Sequence, residues 1–211
     1  MTRCACGLSY VRELASDEEL HGRVHAEFHS GAELHLPVAL ASIGSVHGYP
    51  IVVADMRTPL ATRRALARIA LVAQRSMPDF PIGYDGSLTD DDDRLFVVLA
   101  NDRMIAMAIT SLDDSYWVLQ WRENLRLELV GTEQLPDQRQ KVSRVWVANQ
   151  FRRRGIARGL IDSVATLFRR RAHELGWELP LTTDGRRLLR TLVPGDLFGH
   201  GDTFALEETL D

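Results

Sequence analysis

Lysine is all but missing from this chain: Lys141 is the one lysine among 25 basic residues in a sequence of 211. Arginine and lysine are not interchangeable where a planar fork of donors is needed. So lopsided a ratio nevertheless reads as the trace of a GC-rich coding sequence, and points to a bacterial source rather than to a bidentate contact at every arginine. Cysteine is nearly as scarce. Cys4 and Cys6 are the only two and lie at the N-terminus, so no disulfide can staple distant parts of the chain. Long apolar runs are missing too. Leu36–Ile43 and Met104–Ile109 fall far short of the roughly 20 residues that cross a bilayer, and the first residues lack a basic start followed by an apolar core. A soluble, cytoplasmic protein without membrane partners is expected. A basic excess is absent as well: the formal net charge of −4 argues against a nucleic-acid partner. What remains, 45% hydrophobic and 26% charged residues, excludes collagen-like and disordered classes and suits one well-buried domain with a small appendage.

That appendage is expected over residues 1–30, ahead of a domain spanning 31–211. His21, His25 and His29 recur every fourth residue, so a helix places them on one face, and Ser16 with Asp17 and Glu18 reads as its cap and acidic first turn. Two such imidazoles can close on one ion opposite the two thiolates. Exposed histidines on a polar helix are the plainer alternative.

Further on, Val38–Ile43 and Ile51–Met56 read as strands about the turn His47-Gly48-Tyr49-Pro50, and Thr58-Pro59 opens a helix running to Met77. Residues 78–94, with Asp85 and the run Asp90–Asp93, form a loop. Leu95–Ala100, Met104–Thr110, Tyr116–Trp121 and Leu125–Val130 then make an antiparallel meander, with turns at Asn101-Asp102 and Asp113-Asp114. A strand at Lys141–Val147, a helix over Gly155–His173, a strand at Trp177–Leu181, a helix over Asp184–Leu192 and a strand at Thr203–Glu207 complete an α+β mixed sheet.

The turn after Val147 carries the chemistry. Arg152-Arg-Arg-Gly155-Ile156-Ala157-Arg158 joins a strand to a helix N-terminus, where unpaired backbone N–H groups and the helix dipole favour an anion. Gly155 and Ala157 keep the turn small enough for a diphosphate, and Arg153, Arg154 and Arg158 add charge. A solvated basic helix start is the bland alternative.

Arg152-x-x-Gly155-x-Ala157 resembles the signature of the GNAT superfamily of acetyl-CoA-dependent N-acetyltransferases. Three ordered matches resemble more narrowly the catalytic region of the Eco/ESCO cohesion acetyltransferases: Cys6-Gly-Leu-Ser-Tyr10 followed by His21-x3-His25, Ser143-Arg-Val-Trp-Val147 with the arginine turn, and Thr182-Thr183-Asp184-Gly185. The resemblance implies a GNAT fold, a mostly antiparallel sheet with one splayed parallel pair, preceded by a zinc-finger-like element. It implies acetyl-CoA as donor, with Val145, Trp146, Val147, Arg153 to Arg158, Thr182, Thr183 and Asp184 around it. It implies zinc on Cys4, Cys6, His21 and His25, with His29 as substitute ligand because Cys4-x-Cys6 is one residue tighter than the family's pair.

The family's catalytic pair is a Ser, kept here as Ser143, and an Asp, whose position falls on Pro180. Ser143, Glu178 and Asp184 are therefore the catalytic candidates, with Glu123 and Glu128 behind them, since a primary amine attacks only after losing a proton. The expected reaction is direct acetyl transfer to a primary amine. Two acceptors are weighed. A small polycation of aminoglycoside type, which would make the protein an antibiotic-resistance enzyme, is the expected one, favoured by the acidic run, the missing Asp and the inferred bacterial source; a protein lysine, favoured by the resemblance, is the alternative. A catalytically silent acetyl-CoA-binding or partner-binding module is the rival from another class.

Overall fold

The computed structural model describes residues 1–76, 92–179 and 181–201. A short hairpin, β1 (Thr2–Arg3) and β2 (Ser9–Tyr10), leads into helix α1 (Ala15–Ser30). Then follow β3 (Ala32–Glu33), β4 (Ser42–Val46), β5 (Tyr49–Ala54), α2 (Leu60–Ser76), β6 (Arg94–Ala100), β7 (Arg103–Trp121) and β8 (Leu127–Val147). Helix α3 (Ile156–Leu167), β9 (Gly176–Glu178), α4 (Thr183–Leu192) and β10 (Leu197–His200) close the described chain. One sheet runs in the order β10-β9-β8-β7-β6-β5-β4, antiparallel except for the parallel pairs β8/β9 and β9/β10. This is the mixed α+β sheet the sequence leads one to expect. Among the described residues no helix is long and apolar enough to cross a membrane.

The strand alternation supplies two cores. Phe96 and Val98 face α3, whose Ile156, Leu160, Ile161, Val164 and Ala165 are buried with them; Val97 and Met107 face Leu66, Ala70 and Ala73 of α2 on the other side. Gly159 lets α3 lie close against β4, because a Cβ there would stand 2.4 Å from Val46.

Several elements differ from the expectations. Asn101-Asp102 is a hairpin turn, both residues having positive φ, but Asp113-Asp114 is not a turn. It lies inside the 19-residue β7, where Asp113 pairs with Arg139 and Ser115 with Gln134, so the two long strands stay paired across an irregularity. Polar anchors hold it there: Lys141 Nζ is 3.0 Å from Asp113, and the Tyr116 hydroxyl donates to the Arg139 carbonyl at 2.8 Å. Two expected meander strands therefore merge into β7, and Leu125–Val130 with Lys141–Val147 merge into β8. The strand expected at Val38–Ile43 begins instead at Ser42, with Val38 49% exposed. Helix α1 starts at Ala15 with Leu14 as cap, so Ser16 caps nothing; Asp17 accepts the Val11 N–H at 2.9 Å instead. Helix α3 stops at Leu167, short of His173, beyond which Arg169 takes positive φ. The expected strand at Thr203–Glu207 lies outside the described residues, and the strand found, β10, sits just before it.

Candidate acetyl-CoA fork and metal centre

The parallel pair β8/β9 opens almost as soon as it forms. Lys141 pairs with Gly176 and Val142 with Trp177, and no further parallel pair follows; Leu179 instead donates its N–H to the His200 carbonyl at 2.7 Å. At the mouth of this fork β8 carries a bulge. Val142 lies opposite Thr110 and Arg144 opposite Ile109, so Ser143 is the extra residue. One extra residue inverts the side-chain alternation. Val142, Val145 and Val147 consequently share the α3 side, whereas Trp146, 2% exposed, is packed in the core under α2. The sequence places Trp146 beside the cofactor, but the bulge turns its ring into the α2 core, and its backbone pairs with Met107 of β7. Val145 and Val147 lie opposite Ala108 and Ala106 in non-hydrogen-bonded pairs, the alternation being fixed by the Ala148 N–H donating to the Ile105 carbonyl at 2.8 Å, so their own N–H and C=O groups turn away from β7 toward the fork.

Beyond Val147 the chain enters the arginine turn. Gly155 caps α3 with φ +79°, and a Cβ there would stand 3.1 Å from His47 Nε2. Glycine is needed for both reasons. Ile156 is buried and can offer only its N–H, while Ala157 is half-buried and Arg154 and Arg158 are exposed. Arg152 donates to the Val147 carbonyl at 3.0 Å, and its burial lowers the guanidinium pKa. Arg153 reaches across to α4, 2.6 Å from Asp184, which Arg187 approaches at 3.4 Å. Thr182 caps α4 by accepting the Gly185 N–H at 3.1 Å, and Thr183 is the helix's first, exposed residue. Thus two helix N-termini face one another across an arginine–aspartate bridge. His47, in the tight His47-Gly48 turn between β4 and β5, joins this site; its proximity depends on α3 packing against β4, which the sequence does not announce.

Of the catalytic candidates, the structure brings Ser143 and Glu178 to the fork. Glu178 ends β9 and lies 3.1 Å from Lys141 Nζ, with 23% of its side chain exposed. Asp184 stands apart from them, bound to the arginine turn. Glu128 is paired with Arg122 at the other end of β8, and Glu123 is in the turn beside it.

At the N-terminus, one ligand atom from each of Cys4, Cys6, His21 and His25 lies within 4.8 Å of every other. The donors fit zinc: two thiolates and two imidazoles are a closed structural set. His21 Nε2 is buried without a hydrogen-bond partner, and Cys6 is 1% exposed, its thiol pKa raised chiefly by burial. Such atoms are costly unless something binds them. Cys-x-Cys closes the set without His29, which is engaged elsewhere, 3.1 Å from the Asn149 side-chain amide.

Comparison with known proteins agrees with this layout. The family model of the ESCO1/2 acetyl-transferase matches residues 141–193, from the first parallel pair through α4. The structure of the xEco2 acetyltransferase domain bound to a K105-CoA conjugate superposes with a TM-score of 0.62 at 18% identity, covering 78% of this chain and 99% of that one. A second xEco2 acetyltransferase structure gives 0.58 at 15% identity, with 78% and 97% covered. A ribosomal-protein-alanine N-acetyltransferase from Brucella melitensis biovar Abortus 2308 gives 0.45 at 18% identity, covering 69% and 92%. No curated protein matches by sequence alone. This chain has the fold of the xEco2 acetyltransferase domain and is similar to the ESCO1/2 acetyl-transferase family across the segment holding its fork and arginine turn.

Proposed function

We propose that the protein transfers the acetyl group of acetyl-CoA to the side-chain amine of a protein lysine. The fork of β8 and β9, bulged at Ser143 and continued by the Gly155 turn, carries this reading. Acetyl-CoA supplies the activated thioester. The fork edge of β8 offers the Val145 N–H and C=O and the Val147 N–H to the pantetheine arm, and the first N–H groups of α3, with Arg153, Arg154 and Arg158, receive the diphosphate. Thr182, Thr183 and Asp184 form the facing wall. Asp184 serves there by holding Arg153 rather than by taking a proton. Ser143, in the bulge, lies where donors polarise a thioester carbonyl, and Glu178, held by Lys141, gives the fork a negative edge for an incoming ammonium. Cys4, Cys6, His21 and His25 hold zinc, which fastens the 1–30 element and takes no part in the transfer.

The ESCO-type match favours a lysine over the small polycation suggested by the acidic run. Of that run Asp85, Asp90 and Asp91 lie outside the described residues, and Asp92 and Asp93 only precede β6. The test is a panel of lysine peptides, polyamines and aminoglycosides incubated with acetyl-CoA and analysed for N-acetylated product. Lysine peptides should be acetylated fastest. Faster modification of the polyamines or aminoglycosides would restore the small-molecule reading, and no product from any amine would leave a binding module.

A further inference from the structure

His200 stands at the end of β10 in a setting the fork does not explain. Its Nδ1 lies 3.0 Å from Asp113 Oδ2 and 3.1 Å from the Ser115 carbonyl oxygen. Both neighbours accept, so the ring hydrogen sits on Nδ1 and the lone pair is left on Nε2. Asp113 is itself fixed. It accepts the N–H groups of Asp114 at 2.9 Å and Ser115 at 3.3 Å, and the Lys141 ammonium at 3.0 Å. Burial alone would raise its pKa, but the hydrogen bonds from Lys141 and Ser115 and the charges of Lys141 and His200 outweigh burial and hold it below the usual range. The backbone on either side is constrained: a Cβ at Gly199 would stand 2.6 Å from Leu119, and Gly201 has φ +143°.

The ring borders a cavity of about 250 Å³, shared with Tyr116, Trp117, Thr132 and Glu133. A carboxylate beside two aromatic rings suits a cation. His200 is also the strand partner of Glu178, the residue at the fork. We infer that this cavity receives the acceptor's ammonium group and that His200 Nε2, oriented by Asp113, is the base that deprotonates it; the inference rests on the acetyltransferase reading. The N–H bond of the ammonium breaks, its electron pair stays on nitrogen, and the proton passes to Nε2. Nitrogen then bonds to the thioester carbon as the carbon–sulfur bond breaks. The imidazolium returns its proton to the departing sulfur and the nitrogen's remaining surplus proton goes to water, so a turnover yields amide, free thiol and one proton.

The charged and titratable groups about the ring are Asp113 and Tyr116 from β7, Glu133, Arg139 and Lys141 from β8, and Glu178 from β9. Replacing the base, His200→Ala, should lower kcat about 100-fold, in the range of general base catalysis, with the affinity for acetyl-CoA unchanged by calorimetry. Added imidazole should restore part of the rate. His200→Asn, which keeps a donor toward Asp113 and Ser115, carries the same test if the alanine variant does not fold. Glu133→Gln should raise KM for the amine alone. Folded His200 variants with kcat within threefold of the parent and no response to added imidazole would overturn the inference and leave the acetyltransferase reading standing. A parent that releases no thiol with any amine would overturn both.

Discussion

Arg153 and Asp184 lie 2.6 Å apart, and through this pair the N-terminus of α4 is tied to the turn that opens α3. Both side chains are more than half exposed, at 66% and 55%, so the pair contributes little to global stability. Its effect is local: it holds an otherwise mobile guanidinium at the edge of an anion site.

Asp184→Asn should therefore weaken acetyl-CoA binding by about threefold, the scale of one exposed charge pair, while kcat at saturating donor stays close to the parent. Calorimetry and initial rates read the two separately. A hundredfold fall in kcat with unchanged affinity would make Asp184 the base instead.

Gly155→Val tests the turn itself. Valine is strained at φ +79°, its Cβ approaches His47, and its branches fill the space a diphosphate needs. A cost of about 1–3 kcal/mol, typical of a non-glycine residue in a sparse backbone region, corresponds to a rise of about 5- to 160-fold in the Kd for acetyl-CoA. Unchanged affinity in the folded variant would remove the diphosphate from this turn.

Metal removal should be felt at the cofactor site. Helix α1 carries His21 and His25 and, on its next turn, Phe28 and His29; Arg152 stacks over Phe28 at 5.2 Å and Asn149 bonds His29. Zinc at one equivalent is the expected content. Stripping it with a strong chelator should lower Tm and weaken acetyl-CoA binding, since a structural site contributes directly to folding. His29→Ala should keep the zinc and lose part of the affinity. Zinc-free protein with parental Tm and affinity would contradict this coupling.

Acid stability should respond to Lys141→Met. Asp113 has a folded pKa below its ordinary value, so its contribution is present above the ordinary carboxylate pKa of about 4 and is lost as pH falls through the folded pKa. Without the ammonium the Asp113 pKa rises, so the stability that the ionised carboxylate contributes above about pH 4 is lost in the variant. Urea unfolding across pH should show the variant less stable than the parent near neutral pH, with the gap narrowing as pH falls below about 4; parallel curves would show that the pair sets nothing.

The sequence makes the fork legible because Lys141–Val147 and the Gly155 turn signal a strand and a helix start locally. The cluster Cys4, Cys6, His21 and His25 is nearly as local: four-residue spacing sets His21, His25 and His29 on one helix face, and the resemblance picks the first two. What could not be read depends on pairing at a distance. Asp113-Asp114 has turn composition, yet cross-strand bonds from Lys141 and Tyr116 keep it inside β7. The flip of Trp146 into the α2 core follows from a bulge at Ser143 that no local pattern announces. His200 is invisible for the same reason: its partners Asp113 and Ser115 lie more than eighty residues away, and Gly199 and Gly201 beside it look like ordinary loop.

The most direct test of the account is free thiol released from acetyl-CoA, followed with and without a lysine peptide while the peptide's mass is recorded. Peptide-dependent release, matched one for one by N-acetylated peptide in the parent and moved to far higher acetyl-CoA concentrations in Gly155→Val, is the predicted result. Thiol release that is the same with or without any amine would contradict it.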